Sequence, residues 1–200
     1  TADGQLARHY AGKLDVWKPG MDVPSRSRHL IPEGQYLWVG TDRTLVALGP
    51  LTSATSPGFV VAYEMPVVRL DYLLASKTGG YWRLANGRIQ KWNKDKLERD
   101  LGAYPWNLRT TPVYTACEDG AGNLVVGTGG EGIFWFDAQG SHIRLDEDKG
   151  LSYHTILSVL YDTEQNLWVG TDGGGLNRVR EQTFKVLETS RDLVVRSVTQ

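Results

Sequence analysis

Residues 165–176 read QNLWVGTDGGGL, and weaker copies of this sequence recur along the chain. One copy occupies residues 37–42, another residues 124–133, and a more degraded one residues 73–82. With Gly40, Ser76, Gly127 and Gly170 taken as equivalent, the copies are separated by 36, 51 and 43 residues. A four-stranded propeller blade takes roughly 40 to 50 residues. The spacing therefore predicts an all-β chain built as a β-propeller of four-stranded antiparallel blades.

The last copy shows how the strands of one blade follow each other. Apolar and β-branched residues at 155–161 predict an inner strand, and residues 162–166 supply turn chemistry. Further strands are predicted at 167–171, 175–180 and 184–188. The preceding copy predicts strands at 113–118, 124–128, 132–137 and 142–146. Earlier, residues 26–31, 36–41 and 44–48 predict three strands of another blade, and residues 59–64 either close that blade or open the next.

We expect about four to five blades in this segment. Their predicted bounds are the end of a blade at 1–20, blades at 21–58, 59–93, 112–147 and 151–189, and the start of another at 190–200. Residues 94–111 are predicted to be an interblade insertion, in which the charged run 94–101 forms one or two helical turns. So few blades would leave strand edges open. We therefore expect a part of a larger ring, with a five-bladed ring closed by its own two ends as the alternative.

Composition excludes several classes of protein. The 22 basic and 23 acidic side chains give a formal net charge of -1, so no overall field favours nucleic acid or an anionic membrane. No run of about 18 apolar residues is present to span a bilayer. The single cysteine, Cys117, allows no internal disulfide and is expected to be a small buried residue. The four histidines are far apart in sequence, so we predict neither a metal site nor a cofactor.

Residues 150–176 resemble the two-component regulator propeller repeat. The likeness rests on Leu167, Trp168, Gly170 and Thr171, followed by the Gly174-Gly175-Leu176 return. It implies a seven-bladed sensor propeller on the periplasmic or extracellular side of a bacterial membrane receptor, whose signalling module lies elsewhere. Some members of this family sense carbohydrates. The resemblance thus implies a non-catalytic propeller that binds a small polar molecule or an oligosaccharide.

We expect the ligand at the rim of the central channel, where second-to-third-strand loops and the loops entering the next inner strand emerge together. The candidate ligand-binding residues are Thr41, Asp42, Arg43, Lys77, Trp106, Arg109, Thr128, Glu131, Tyr153, His154, Thr171 and Asp172. Arg26, Arg28 and Thr78 are expected on the same rim. A Trp repeated at one strand position, as at Trp38 and Trp168, is better explained as a wedge between blades.

Two alternatives remain open at this point. One is a protein-interaction propeller that pairs as a homodimer or docks on the remaining blades of its own receptor. The other is a propeller lyase or glycosidase, against which stands the absence of any recognisable acid–base pair or nucleophile motif in the sequence.

Overall fold

The computed structural model describes residues 6–10, 12–17, 27–41, 44–49, 61–66 and 69–180. These residues form a hairpin and four successive sheets, and one 3-10 turn lies among them at Glu147–Lys149. The hairpin consists of β1 (Leu6–Tyr10) and β2 (Lys13–Trp17). The first blade contains β3 (Ser27–Glu33), β4 (Tyr36–Thr41), β5 (Thr44–Leu48) and β6 (Val61–Pro66). The second contains β7 (Leu70–Ala75), β8 (Tyr81–Ala85), β9 (Arg88–Asn93) and β10 (Lys96–Ala103).

The third blade contains β11 (Val113–Glu118), β12 (Leu124–Thr128), β13 (Ile133–Phe136) and β14 (His142–Leu145). The fourth contains β15 (Ile156–Tyr161), β16 (Leu167–Thr171) and β17 (Gly175–Val179). Each blade is an antiparallel meander in which strands pair in chain order. The predicted fold class is confirmed. The fourth strand expected at 184–188 and the following blade expected at 190–200 lie outside the described residues.

The repeat is more regular than the sequence spacing suggested. The inner strands β3, β7, β11 and β15 begin at Ser27, Leu70, Val113 and Ile156, each 43 residues after the last. The pairing register places Leu84, not Ser76, at the position of Gly40, Gly127 and Gly170. The sequence pattern equates Gly79-Gly80 with the turn between the second and third strands. In the structure this glycine pair forms the turn between the first and second strands, β7 and β8.

Because the second blade begins later in the chain than predicted, residues 94–111 are not an insertion between blades. Residues 94–101 were expected to form helical turns, but Lys96–Ala103 is β10, the outer strand of the second blade. Its many charged side chains suit an edge that faces solvent on one side. Of the predicted run 59–64, residues 61–64 belong to β6, which closes the first blade by pairing with β5, and residues 59 and 60 lie outside the described residues.

The apolar core lies between blades. Trp38 and Leu45 of the first blade pack with Leu73 and Tyr81 of the second, where the Trp38 and Tyr81 ring centroids are 4.9 Å apart. Similar clusters join the second blade to the third and the third to the fourth. Trp38 is only 2% exposed, which agrees with its predicted role as a wedge. Each blade is therefore stabilised by its neighbours, as in other repeat folds.

The repeated glycine has a packing function. A Cβ built on Gly127 would lie 2.6 Å from Thr115 Cγ2 and 2.7 Å from Ile156 Cγ2, the latter on the inner strand of the next blade. A Cβ on Gly40 would similarly meet Leu70 and Leu73. Glycine thus allows the second strand of one blade to approach the inner strand of the next.

Candidate functional site

The inner strands share an irregularity at the end where the chain enters each blade. In all four, the register shifts by one residue immediately after the first paired position. The residues inserted at these bulges are Arg28, Asp71, Tyr114 and Leu157, again 43 residues apart. A β-bulge interrupts the alternation of side chains and re-aims the extra residue. Tyr114 and Leu157 are 48% and 51% exposed.

A cavity of about 610 Å³ lies where the inner strands of the first three blades begin. Its lining residues are His29, Arg69, Leu70, Asp71, Tyr72, Pro112, Val113 and Tyr114. They come from the starts of β3, β7 and β11 and from the residues that precede those strands. The cavity therefore lies on the face where the entering loops and the second-to-third-strand loops emerge, at the position expected for the mouth of a propeller channel. We call it the channel-mouth cavity.

Arg69 and Asp71 form the charged part of this cavity. Arg69 Nε donates to Asp71 Oδ1 at 2.6 Å, and Arg69 Nη1 donates to the Leu108 carbonyl at 3.1 Å. The hydroxyl of Tyr104 donates to the other carboxylate oxygen, Asp71 Oδ2, at 2.9 Å. Burial, reinforced by the negative charge of Asp71, raises the pKa of Tyr104 far above its usual value, so this hydroxyl stays protonated. The Asp71 side chain is 5% exposed and that of Arg69 is 44% exposed, so only the cation is open to a ligand.

Three aromatic rings and the apolar residues Leu70, Pro112 and Val113 form the rest of the wall. His29 and Tyr72 meet edge to face with their ring centroids 4.9 Å apart. Tyr114 covers the backbone of Gly129, where a Cβ would lie 2.8 Å from the tyrosine ring. A guanidinium beside such rings can bind oxygen-rich molecules through hydrogen bonds and through contact with their apolar faces.

Several predicted rim residues lie on this face but outside the cavity. Glu131, in the loop between β12 and β13, accepts a hydrogen bond from Thr111 Oγ1 at 3.0 Å and pairs with Arg144 at 3.6 Å. His154 Nδ1 lies 3.0 Å from Glu147 Oε1, and its ring stacks on that of Tyr153. The Gly132 amide donates to the His154 carbonyl, which ties the third blade's loop to the loop entering the fourth. Arg109 and Asp172 are exposed on the corresponding loops.

The predicted rim threonines are structural. Thr41 and Thr128 are fully buried and Thr171 is 8% exposed. Thr128 Oγ1 donates to the Gly132 carbonyl at 2.8 Å and accepts from the Glu131 amide at 3.1 Å. Thr171 Oγ1 likewise donates to the Gly175 carbonyl at 2.9 Å. These hydroxyls close the second-to-third-strand turns and are already engaged within the fold.

Trp106 and Lys77 are also placed elsewhere than expected. Trp106 is 5% exposed, stacks on Tyr104 at 4.6 Å and packs among the core residues between the second and third blades. Lys77 and Thr78 belong to the turn between β7 and β8, at the opposite face of the blade, because the sequence alignment had equated this turn with the wrong loop. The predicted candidates Asp42, Arg43 and Arg26 lie outside the described residues, as does the side chain of Arg28.

The opposite face has a larger cavity, of about 1320 Å³, between the turns of the third and fourth blades. Three of its charged side chains, Asp162, Asp119 and Lys77, are already engaged in the fold. Asp162 accepts from both the side chain and the backbone of Asn166, and these bonds, with that from Trp168, lower the pKa of Asp162 to about 2. Asp119 is held by Asn123 and by Trp135 Nε1 at 2.9 Å. Lys77 Nζ donates to the Glu118 carbonyl at 3.0 Å. The channel-mouth cavity is therefore the better candidate site.

Sequence reasoning missed Arg69, Asp71, Tyr72 and Tyr114. The 43-residue period would have identified them, because Asp71 and Tyr114 occupy equivalent positions in successive blades. That period was hidden by the false equivalence of Ser76.

Residues 150–173 match the family model described as two component regulator propeller. The chain carries a two-component regulator propeller repeat. In this repeat Gly150 precedes the loop entering the fourth blade, and the match continues through β15 and β16 into the turn at Gly173. No curated protein matches the chain in sequence.

Solved structures of several kinds of protein are similar in fold to this chain. The extracellular domain of a putative hybrid two component system from B. thetaiotaomicron is 21% identical, with a TM-score of 0.52 over 76% of this chain and 20% of that one. PorZ, a surface component of the type-IX secretion system of Porphyromonas gingivalis, is 14% identical, with a TM-score of 0.60 over 85% of this chain and 28% of that one. Virginiamycin B lyase from Staphylococcus aureus is 15% identical, with a TM-score of 0.54 over 80% and 57%.

Together with the WD40 β-propeller domain of Doa1, which is 13% identical with a TM-score of 0.58 over 90% of this chain and 62% of that one, these similarities establish the propeller fold. The chain spans 31% and 29% of two structures of one B. thetaiotaomicron extracellular domain and 20% of another, so it corresponds to less than a third of each. Among the described residues, no helix is long and apolar enough to cross a membrane.

Proposed function

We propose that this chain is part of an extracytoplasmic sensor propeller of a bacterial signal-transduction receptor, and that it binds a polar ligand, such as a carbohydrate, in the channel-mouth cavity. The observation that carries the proposal is the convergence of Arg69, Tyr72 and Tyr114 from two blades on one cavity in a chain with a two-component regulator propeller repeat. The periplasmic or extracellular location is supported by the same repeat and by the fold shared with extracellular domains of such systems.

The wall of the cavity suits recognition of a sugar. Carbohydrates offer hydroxyl oxygens around a ring whose C–H faces pack on aromatic side chains. Tyr114 presents an exposed ring, and Arg69 presents donors that are already oriented by Asp71 and Leu108. Oriented donors reduce the entropic cost of binding, because fewer rotamers must be frozen when the ligand arrives.

The same geometry argues for binding without chemistry. A glycosidase uses two carboxyl groups roughly 5 to 9.5 Å apart, one on each side of the scissile bond. Among the described residues that line the cavity, the single carboxylate is Asp71, and both its oxygens are already hydrogen bonded. One carboxylate whose two oxygens are both engaged does not supply the pair of carboxyl groups that a glycosidase needs.

The test is calorimetric titration of the purified full-length protein with a panel of oligosaccharides, with product analysis of the same mixtures. We expect saturable binding without turnover. Tyr114→Ala should weaken binding at least tenfold, whereas Tyr153→Ala, which removes an exposed tyrosine outside the cavity, should leave it unchanged.

Three outcomes would contradict the proposal. Product formation would favour a lyase or glycosidase. Virginiamycin B lyase, which is similar in fold, shows that such a fold can support catalysis. Loss of binding in Tyr153→Ala alone would move the site to the outer rim. Absence of saturable binding across the panel would leave a protein-interaction propeller as the better explanation.

A further inference from the structure

Two of the three guanidinium nitrogens of Arg69 donate hydrogen bonds within the described residues, and the third, Nη2, does not. Its Nε is bonded to Asp71 and its Nη1 to the Leu108 carbonyl, while its backbone amide donates to Asn86 Oδ1 at 2.9 Å. Within the described part of the chain, Nη2 has no hydrogen-bond partner. Their two acceptors, Asp71 and Leu108, belong to different segments of the chain, so the guanidinium plane is fixed before any ligand arrives.

The charge that a ligand meets in this cavity is positive. Asp71 offsets part of the Arg69 charge, but a ligand can contact only the guanidinium, because the Asp71 side chain is 5% exposed and is covered by Arg69 and Tyr104. The Arg69 side chain is 44% exposed. The remaining polar groups of the wall are His29, Tyr72 and Tyr114, none of which is a carboxylate. A ligand anion placed against Nη2 would therefore meet a donor cation and no accessible carboxylate.

We infer that the channel-mouth cavity selects acidic sugars, with Arg69 Nη2 donating to a carboxylate or sulfate oxygen and Tyr114 in contact with the sugar ring. The inference rests on the proposed function and adds the class of ligand to it. Guanidinium groups suit this role because they remain charged and donate to anionic oxygens at fixed geometry. Asp71 and Tyr104 are positioning residues, since they act on the ligand through Arg69.

The test compares sugars that differ only in charge. Binding of D-glucuronate, D-galacturonate and D-mannuronate to the full-length protein is measured beside the matched neutral hexoses, with D-glucose 6-sulfate as the sulfated counterpart at the same carbon. We expect at least one acidic sugar to bind ten times more tightly than its neutral partner. Raising NaCl from about 50 to 500 mM should reduce this ratio, because salt screens an accessible ion pair.

Variants test whether the preference for acidic sugars depends on Arg69. Arg69→Gln should bring the ratio of acidic to neutral affinity to about one, and Arg69→Lys should retain part of it. Tyr104→Phe, which removes one bond to Asp71, should lower the ratio without changing affinity for the neutral sugar. Arg88→Ala is the matched control, because Arg88 is exposed on β9 and paired with Asp100, away from the cavity.

The outcomes separate this inference from the proposed function. Equal affinity for acidic and neutral sugars, both lost in Tyr114→Ala, would overturn the acidic selectivity and leave the sugar site in place. Binding of no sugar, charged or neutral, would overturn both. A salt-independent preference for acidic sugars in the unaltered protein would also overturn the role of Arg69, even if an Arg69 variant failed to fold. A preference for the sulfated sugar over D-glucuronate would identify sulfate as the acidic group.

Discussion

Trp82 of the second blade donates its indole N–H to Glu118 of the third blade, with Nε1 and Oε1 2.6 Å apart. The same carboxylate accepts from Ser76 Oγ at 2.8 Å and from the Lys77 amide at 2.6 Å, so three donors of one blade meet one acceptor of the next. Glu118 is 3% exposed and Trp82 is fully buried. The two blades are thus joined by a polar contact as well as by their apolar core.

Replacing this carboxylate should weaken the boundary between the blades. Glu118→Ala leaves the Trp82, Ser76 and Lys77 donors without their acceptor, and we expect the free energy of unfolding to fall by about 3 kcal/mol. Chemical denaturation monitored by tryptophan fluorescence measures the change. Glu164→Ala, at an exposed turn residue, should stay within about 0.5 kcal/mol. A loss no larger for Glu118 than for Glu164 would contradict the role of this contact.

Gly127→Ala should destabilise the protein through crowding. The added methyl would overlap Thr115 and Ile156, and relieving such overlap in a packed core costs about 1–3 kcal/mol. Gly120→Ala is the matched control, since its Cβ would meet only the Tyr161 ring at 3.4 Å. Thermal unfolding of both variants decides the matter. If the two changes proved equally mild, blade approach would not depend on glycine.

Substitution of Thr171 should lower the free energy of unfolding, whereas substitution of its exposed neighbour Asp172 should not. Thr171→Val keeps the shape of the side chain but removes the hydroxyl that donates to the Gly175 carbonyl, at a cost of about 1–2 kcal/mol. Asp172→Ala changes an exposed side chain and should alter stability by less than about 0.5 kcal/mol. Neither should change ligand affinity, because neither residue lines the channel-mouth cavity. A reduced affinity in either variant would return the site to the originally predicted rim.

Cys117 should react slowly in the folded protein. Burial raises the pKa of its thiol to about 12, so almost none is thiolate at pH 8. Iodoacetamide labelling followed by mass spectrometry should be slow in native buffer and fast in denaturant. Because the folded pKa is raised, the stabilising contribution of the protonated thiol is complete below the unfolded pKa near 9 and declines as pH rises towards 12. Rapid native labelling at pH 8 would contradict this burial.

One face of the fourth blade should be covered by a further blade in the full-length protein. Leu160 and Leu176 are 62% and 68% exposed, whereas their equivalents 43 residues earlier, Cys117 and Ile133, pack against the fourth blade. Leu176→Glu should therefore lower the melting temperature by several degrees, and Ile143→Glu, at an exposed residue of β14, should not. Equal tolerance of both changes would show that Leu176 faces solvent.

The sequence predicted the fold better than the site. Strands β4, β5, β11, β12 and β16 fall on their predicted bounds, because glycine and asparagine turns frame short β-branched runs. The second blade was misaligned because Leu84 replaces the repeat glycine and Gly79-Gly80 imitates the wrong turn. The burial of the rim threonines could not be predicted, because a hydroxyl that closes a turn and an exposed one look alike in sequence. Arg69 and Asp71 could not be chosen without knowing where their blade begins.

At the start of each inner strand, the bulge allows one residue to serve recognition without also having to pair in the sheet. Strand pairing continues on both sides of the inserted position, so that position is free of the ladder that holds the blade together. In successive blades it carries Arg28, Asp71, Tyr114 and Leu157, which share neither charge nor size. Such a ring can acquire a new recognition surface by one substitution per blade, with its packing between blades unchanged.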